Sequence, residues 1–141
     1  MTPVFFDTNI LVYLFDGDAP AKRDRAREVF GREVESGRFV TSTQVLQEFY
    51  VAVTRKLTLP LSSEEAEDAV AALIELPVTP VNPRLILQGI RRAREMQVSF
   101  WDALIIEAAL VAGAGRLMTE DLQHGRDVDG LRIVNPFVSE P

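Results

Sequence analysis

The chain has no cysteine and a single histidine, His124, among its 141 residues. Disulfides and thiolate metal sites are therefore excluded, as is any mechanism that needs a pair of histidines. A zinc site of the usual composition goes with them. No run approaches the roughly 18 consecutive apolar residues of a membrane span, and no basic segment followed by an apolar core opens the chain, because Asp7 interrupts the first apolar run. The expectation is a cytoplasmic protein with no membrane contact. G-x-S-x-G, Walker A and G-x-G-x-x-G patterns are all missing, as are internal repeats and low-complexity linkers. Positive charge is in deficit, with 15 Lys and Arg against 21 Asp and Glu and a net charge of −6. That balance argues against a general electrostatic grip on phosphate backbones. The charge is nonetheless polarised: "RLILQGIRRAREM" carries Arg84, Arg91, Arg92 and Arg94, whereas "SSEEAEDAVAALIE" carries five acids and no base.

What is present fits one domain over residues 1–141, with 47% apolar residues to fill one core. Short β-rich runs alternate with stretches of helical period, the pattern of an α/β fold with a mainly parallel sheet. The strand candidates are "PVFF", "RFVT", "PVTPV", "GRLMT" and "LRIVN". A short first helix is expected from Asn9, and a second after Pro20, with Ala26, Val29, Phe30 and Val34 inward and Gly37 as its stop. A third follows Thr41 or Ser42 through "TQVLQEFYVAVTRK". A fourth has Ser62 and Glu65 as a capping box, with Ala66, Ala69, Val70 and Leu73 inward. The fifth follows Asn82 and Pro83 with Ile86, Ile90 and Ala93 as its stripe, and the sixth runs from Ser99 to Gly113 or Gly115.

Ligand sites in parallel α/β sheets lie beyond the carboxyl ends of the strands. Asp7 follows the first strand candidate and Asp121 follows "GRLMT", so two carboxylates meet in one crevice if those strands are neighbours. Glu48 sits on the shoulder of the third helix's apolar stripe, and Asp102 stands three residues after Ser99. Each has an ordinary alternative role: a cap or turn for Asp7 and Asp121, an intrahelical pair for Glu48, half a capping box for Asp102. Taken together, an all-oxygen cluster is what Mg²⁺ or Mn²⁺ selects, because hard cations take carboxylates and waters. Without a cation, such a cluster raises its own pKa values. His124 reads as a surface loop residue.

Four segments in order, "FFDTNILVYLFD", "STQVLQEFYVAVTRK", "SFWDALIIEAAL" and "RLMTEDLQHG", resemble the PIN-domain nucleases, and among them the VapC-type toxins of toxin–antitoxin pairs. The resemblance implies a three-layer α/β/α fold around a mainly parallel sheet of about five strands. It also implies that Asp7, Glu48, Asp102 and Asp121 form a pocket for Mg²⁺ or Mn²⁺, supported by Asn9 and Thr119, with Asp121 rather than Glu120 as the acid of the T-x-D spacing. The implied activity is metal-dependent endoribonuclease, in which the ion lowers the pKa of a bound water and offsets charge on the phosphodiester. The implied partners are an RNA substrate, a small antitoxin protein and a second copy of the chain. Arg84, Arg91, Arg92 and Arg94, or Lys22, Arg23 and Arg25, are the candidate contacts to the RNA backbone. Three alternatives stand beside this: a PIN nuclease of RNA processing or repair outside a toxin pair, a non-catalytic binding module, and an aspartyl phosphatase of the haloacid-dehalogenase-like kind. The last requires a second Asp two residues after the first, where this chain has Asn9.

Overall fold

The computed structural model describes residues 2–138. Its elements run β1 (Val4–Phe6), α1 (Thr8–Tyr13), α2 (Pro20–Glu35), β2 (Phe39–Ser42), α3 (Thr43–Arg55), α4 (Ser63–Ile74), β3 (Val78–Thr79), α5 (Pro83–Met96), α6 (Phe100–Val111), β4 (Arg116–Met118), β5 (Asp127–Val128) and β6 (Leu131–Val134). The sheet has the order β3-β2-β1-β4-β6-β5. Every pairing is parallel except that of β5 with β6. The sheet thus has six strands rather than about five. The extra strand is a two-residue arm whose hairpin turn is Asp129-Gly130, with φ values of 52° and 91°. Both are positive, as a two-residue hairpin turn of the primed type demands, and Asp-Gly is its ordinary sequence signal.

The chain steps from β1 to β2 to β3 in one direction and then returns past β1 to β4. Right-handed crossovers therefore put α1 to α4 on one face and α5 with α6 on the other. The packing agrees: α1 meets α2 and α3, α3 meets α4, and α5 lies along α6. This is the three-layer α/β/α arrangement. Phe5, Phe6, Ile10, Leu11, Phe49, Ile106, Leu117 and Ile133 fill its interior with almost no exposure. Each such side chain removed from water stabilises the fold by about 1.5–3 kcal/mol before entropy is counted. Local chemistry sets the helix boundaries. Ser42, Ser62, Asn82 and Ser99 cap α3, α4, α5 and α6 through their side-chain oxygens, and the Ser62–Glu65 capping box is complete.

Two local expectations are corrected. Helix α1 begins at Thr8 rather than Asn9, and Asp7 is its N-cap, accepting a hydrogen bond from the Thr8 N–H at 2.7 Å. The inward face of α5 is Leu85 and Gly89, with Met96 packed on the core, whereas Ile86 and Ile90 are exposed. The cause is close packing on α6. A Cβ at Gly89 would stand 3.2 Å from Leu104 Cδ1 and 3.4 Å from the Phe100 ring, so the helix turns its one residue without a side chain toward its neighbour. Replacing Gly89 with Leu is expected to cost about 1–3 kcal/mol by overpacking. Thermal denaturation reads that loss, and an unchanged melting temperature would contradict this account of α5.

Candidate active site

β1 and β4 are parallel neighbours with Phe6 opposite Met118, so the residues that follow them, Asp7 and Thr119, are brought side by side. The Asp7 N–H donates to the Met118 carbonyl at 3.0 Å. This is also the point where the chain's connections diverge to the two sides of the sheet, the usual place for a ligand crevice in such folds. The condition that would join Asp7 and Asp121 is met.

Asp7 is buried and is the floor of the site. Its Oδ1 caps α1, and its Oδ2 accepts the Thr119 hydroxyl at 2.8 Å. The same hydroxyl oxygen accepts the Asp121 N–H at 3.1 Å. One threonine therefore fixes the buried acid and the turn that presents the exposed one. Glu48 approaches from α3. Its Oε1 accepts the Thr8 hydroxyl at 2.8 Å, and Oε2 lies 3.5 Å from Gln44 Nε2. Gln44 also donates to the Trp101 carbonyl at 3.3 Å, tying the first turn of α6 to α3. Asp102 stands in that turn, half-buried. Its N–H donates to Ser99 Oγ at 3.1 Å, but only this half of the capping box forms, so the carboxylate is not spent on the reciprocal bond.

The acids act on one another in pairs. Burial pushes Asp7 up to about 6, against the pull of the bonds from Thr119 and Thr8, and the charges of Asp121 and Glu48 push it further. Burial likewise raises Asp102, the Ser99 hydroxyl opposes this, and Asp121 again adds to it. Asp121 thus acts on both Asp7 and Asp102. Among the described residues none of the four makes a salt bridge. Among the described residues no three acidic or histidine side chains stand close enough together to hold a metal ion without further ligands. A buried carboxylate beside uncompensated like charges, and an open all-oxygen set around it, fit a hard divalent cation that keeps several waters.

A cleft of ≈ 630 Å³ runs between α1 and α3, lined by Thr8, Asn9, Tyr13, Lys56 and two of the acids, Glu48 and Asp121, among others. Asn9 Oδ1 accepts the Glu120 N–H at 3.3 Å and so holds the loop after β4, while its Nδ2 is buried with no hydrogen-bond partner among the described residues. Glu120 is diverted from the cluster. It accepts bonds from the Tyr13 hydroxyl and from Lys22. Burial raises its pKa, but the bonds from Lys22 and Tyr13 outweigh that and the net shift is downward.

The basic candidates divide. Arg84, Arg91 and Arg94 are exposed on α5. Arg92 turns inward to Glu107 and lies 2.9 Å from Asp129 Oδ2, so it is committed within the fold. Lys22 is held by Glu120, Arg23 by Asp24, and Arg25 by Glu28 and the Pro136 carbonyl. His124 is half-buried and accepts the Asn135 N–H through Nδ1.

Thr8, Gln44 and Lys56 are the participants that sequence reasoning did not single out. Gln44 has a local signal, four residues before Glu48 on one helix face. Thr8 has none, because its partner is 40 residues away.

A cation held by Asp7 would require that carboxyl to be deprotonated, so any affinity for Mg²⁺ that depends on it is expected to fall by about tenfold for each pH unit below about 6 and to level off above it. Calorimetric titration across pH 5–8 checks this. An affinity independent of pH would remove Asp7 from the ligand set.

A family model described as "PIN domain" matches residues 4–129. No curated protein matches the chain in sequence at a significant level. Among solved structures, a toxin–antitoxin complex from Klebsiella pneumoniae is 20% identical, with a TM-score of 0.70 over 95% of this chain and 98% of that one. The Mycobacterium tuberculosis toxin VapC20, described as cleaving the sarcin–ricin loop, is 23% identical, with a TM-score of 0.63 over 81% and 86%. DNA-bound VapBC from Salmonella typhimurium is 21% identical, with a TM-score of 0.66 over 94% and 97%. These likenesses are of fold, whereas the family match spans residues 4–129 of the 141. The chain belongs to the PIN-domain family.

Proposed function

We propose that the protein is a Mg²⁺- or Mn²⁺-dependent endoribonuclease and the toxin of a toxin–antitoxin pair. What supports this reading is that Asp121 and Glu48 bear on Asp7 and Asp121 bears on Asp102, across four separate segments, with Asp7 raised to about 6 and, among the described residues, no salt bridge to any of the four. Asp7 and Asp102 would hold the ion, and Glu48 and Asp121 would complete its shell directly or through water. When bound, a divalent ion there supplies an acidified water and positive charge against the phosphodiester. The chain's own residues do the rest. Thr119 holds the Asp7 carboxylate and the Asp121 turn, Thr8 and Gln44 hold Glu48, and Lys56 offers a phosphate contact at the far end of the cleft. Arg84, Arg91 and Arg94 offer further backbone contacts, with Arg92 excluded by its internal pairing.

The toxin assignment draws support from the VapC and VapBC folds. An apolar groove of ≈ 820 Å³ between α3 and α4, lined by Leu46, Tyr50, Val70 and Ile74, is compatible with cover by an antitoxin helix. Soluble cytoplasmic protein, one domain and a homodimer complete the proposal. In a test with purified protein, RNA is expected to be cut with Mg²⁺ or Mn²⁺ and left intact with EDTA. Cutting that persists in EDTA would overturn the metal assignment, and no cutting of any RNA with either ion would overturn the nuclease.

A further inference from the structure

Trp101 is the only tryptophan of the chain. It is 61% exposed in the first turn of α6, directly before Asp102. So large an apolar ring left in water forgoes a substantial burial gain, and here it is also firmly mounted. The Phe100 ring meets it edge-on, with centroids 5.1 Å apart at 69°. Phe100 itself packs against the α5 backbone at Gly89. The Trp101 carbonyl is held by Gln44, the residue that also reaches Glu48. The ring is thus carried by a turn braced to the acid cluster on both sides.

We propose that Trp101 is a stacking platform for one base of single-stranded RNA, placed beside the phosphodiester that the acids act on. The proposal rests on the nuclease reading above and adds to it a residue that positions the substrate. Successive residues of a helix point about 100° apart, so the ring flanks Asp102 within the first turn of α6 rather than sharing its face, the side on which a base next to a phosphate engaged at Asp102 would lie. A chain of net charge −6 with Lys56 as the basic residue lining the cleft has little phosphate attraction to draw on. Stacking on an aromatic face supplies affinity for any base without demanding positive charge. Bases inside a duplex are already stacked on one another and would not engage the ring.

Because no other tryptophan contributes, the chain's intrinsic tryptophan emission reports this ring alone. The full chain carrying Asp7→Asn, which should bind without cutting, is titrated with a short single-stranded RNA and with an abasic oligonucleotide of the same length. The base-bearing strand is expected to quench the emission and the abasic strand to leave it nearly unchanged. Adding Trp101→Ala should weaken binding of labelled RNA by about tenfold or more, and Trp101→Tyr should keep most of it. Equal quenching by both strands, or unaltered RNA binding by Trp101→Ala, overturns the stacking assignment while leaving cleavage by the wild-type protein as evidence for the nuclease. Emission that shifts with protein concentration in the absence of RNA, together with conversion of dimer to monomer by Trp101→Ala, also overturns it and assigns the ring to an interface between copies. If the wild-type protein with Mg²⁺ neither binds nor cuts RNA, both readings fall together.

Discussion

Replacing Asp7 with Asn is expected to lower metal-dependent RNA cleavage by about 1,000-fold or more, ~4 kcal/mol in the barrier, and at the same time to make the metal-free protein more stable. The first effect follows from removing the one fully sequestered carboxylate of the cluster. The second follows from its proton equilibrium. In the folded chain Asp7 is raised from 3.8 to about 6, so the native state holds this proton more tightly than the unfolded state does. Stability therefore falls as pH rises from about 4 to about 6, and the full penalty persists above that window. At 1.36 kcal/mol per tenfold, the penalty is about 3 kcal/mol. Asparagine is never charged and matches the shape of the acid, so it can keep the bond from the Thr8 N–H and donate to the Thr119 hydroxyl. Melting of both proteins at pH 8 without divalent ions should show the variant several degrees higher. Adding Mg²⁺ should raise the wild type, by about 2.7 kcal/mol at 100 times its Kd, and leave the variant nearly unmoved. A variant that melts below the wild type under metal-free conditions, or that still cuts RNA at the wild-type rate, contradicts this account.

Glu33 sets the second large effect, at the other end of the sheet. Its side chain is fully buried on α2, with Arg38 at 3.0 Å, Arg116 at 3.2 Å and Arg32 at 3.5 Å. Arg116 opens β4, whose far end leads to the acid cluster. Glu33→Ala removes an anion that three cations surround and leaves a void. Breaking a buried pair typically costs 3–5 kcal/mol. The three arginines are each about a third to a half exposed and can turn toward water, so the lower end, about 3 kcal/mol, is expected. That is a large share of an ordinary stability of roughly 5–15 kcal/mol, and a fall in melting temperature of about 10 °C. Glu33→Met, which refills the volume, should lose less. Cleavage per folded molecule should be unchanged in both, because the substitution lies at the opposite edge from Asp7. A melting temperature within a degree of wild type for Glu33→Ala would show the ion pairs to be dispensable.

The fate of particular residues shows what was legible. Capping at Ser42, Ser62, Asn82 and Ser99, the helix starts after Pro20 and Pro83, and the five principal strands could be read because each depends on neighbours a few positions away. The Asp-Gly turn of the β5–β6 hairpin carried an equally local signal that was passed over. The inward face of α5 was not legible, because the choice between Ile86 and Leu85 depended on how closely α6 approaches at Gly89. Glu33 follows Ala26 and Val29 along the buried side of α2, but nothing local shows that Arg38 and Arg116 wait there.

At the candidate site the division is the same. The acids, their places after strands or within helices, and the absence of histidine pairs and thiolates that narrows their chemistry can all be read along the chain. That β1 lies beside β4 is a property of the folded whole. That neighbourhood puts Thr119 on Asp7 and Asp121 within its field, draws Glu120 away to Lys22 and Tyr13, and makes Asp7 at once the cap of α1 and a buried partner of the loop after β4. Propensity and capping act across three or four residues, whereas the pairing of residue 6 with residue 118 is chosen by burial of the whole core and the handedness of the crossovers.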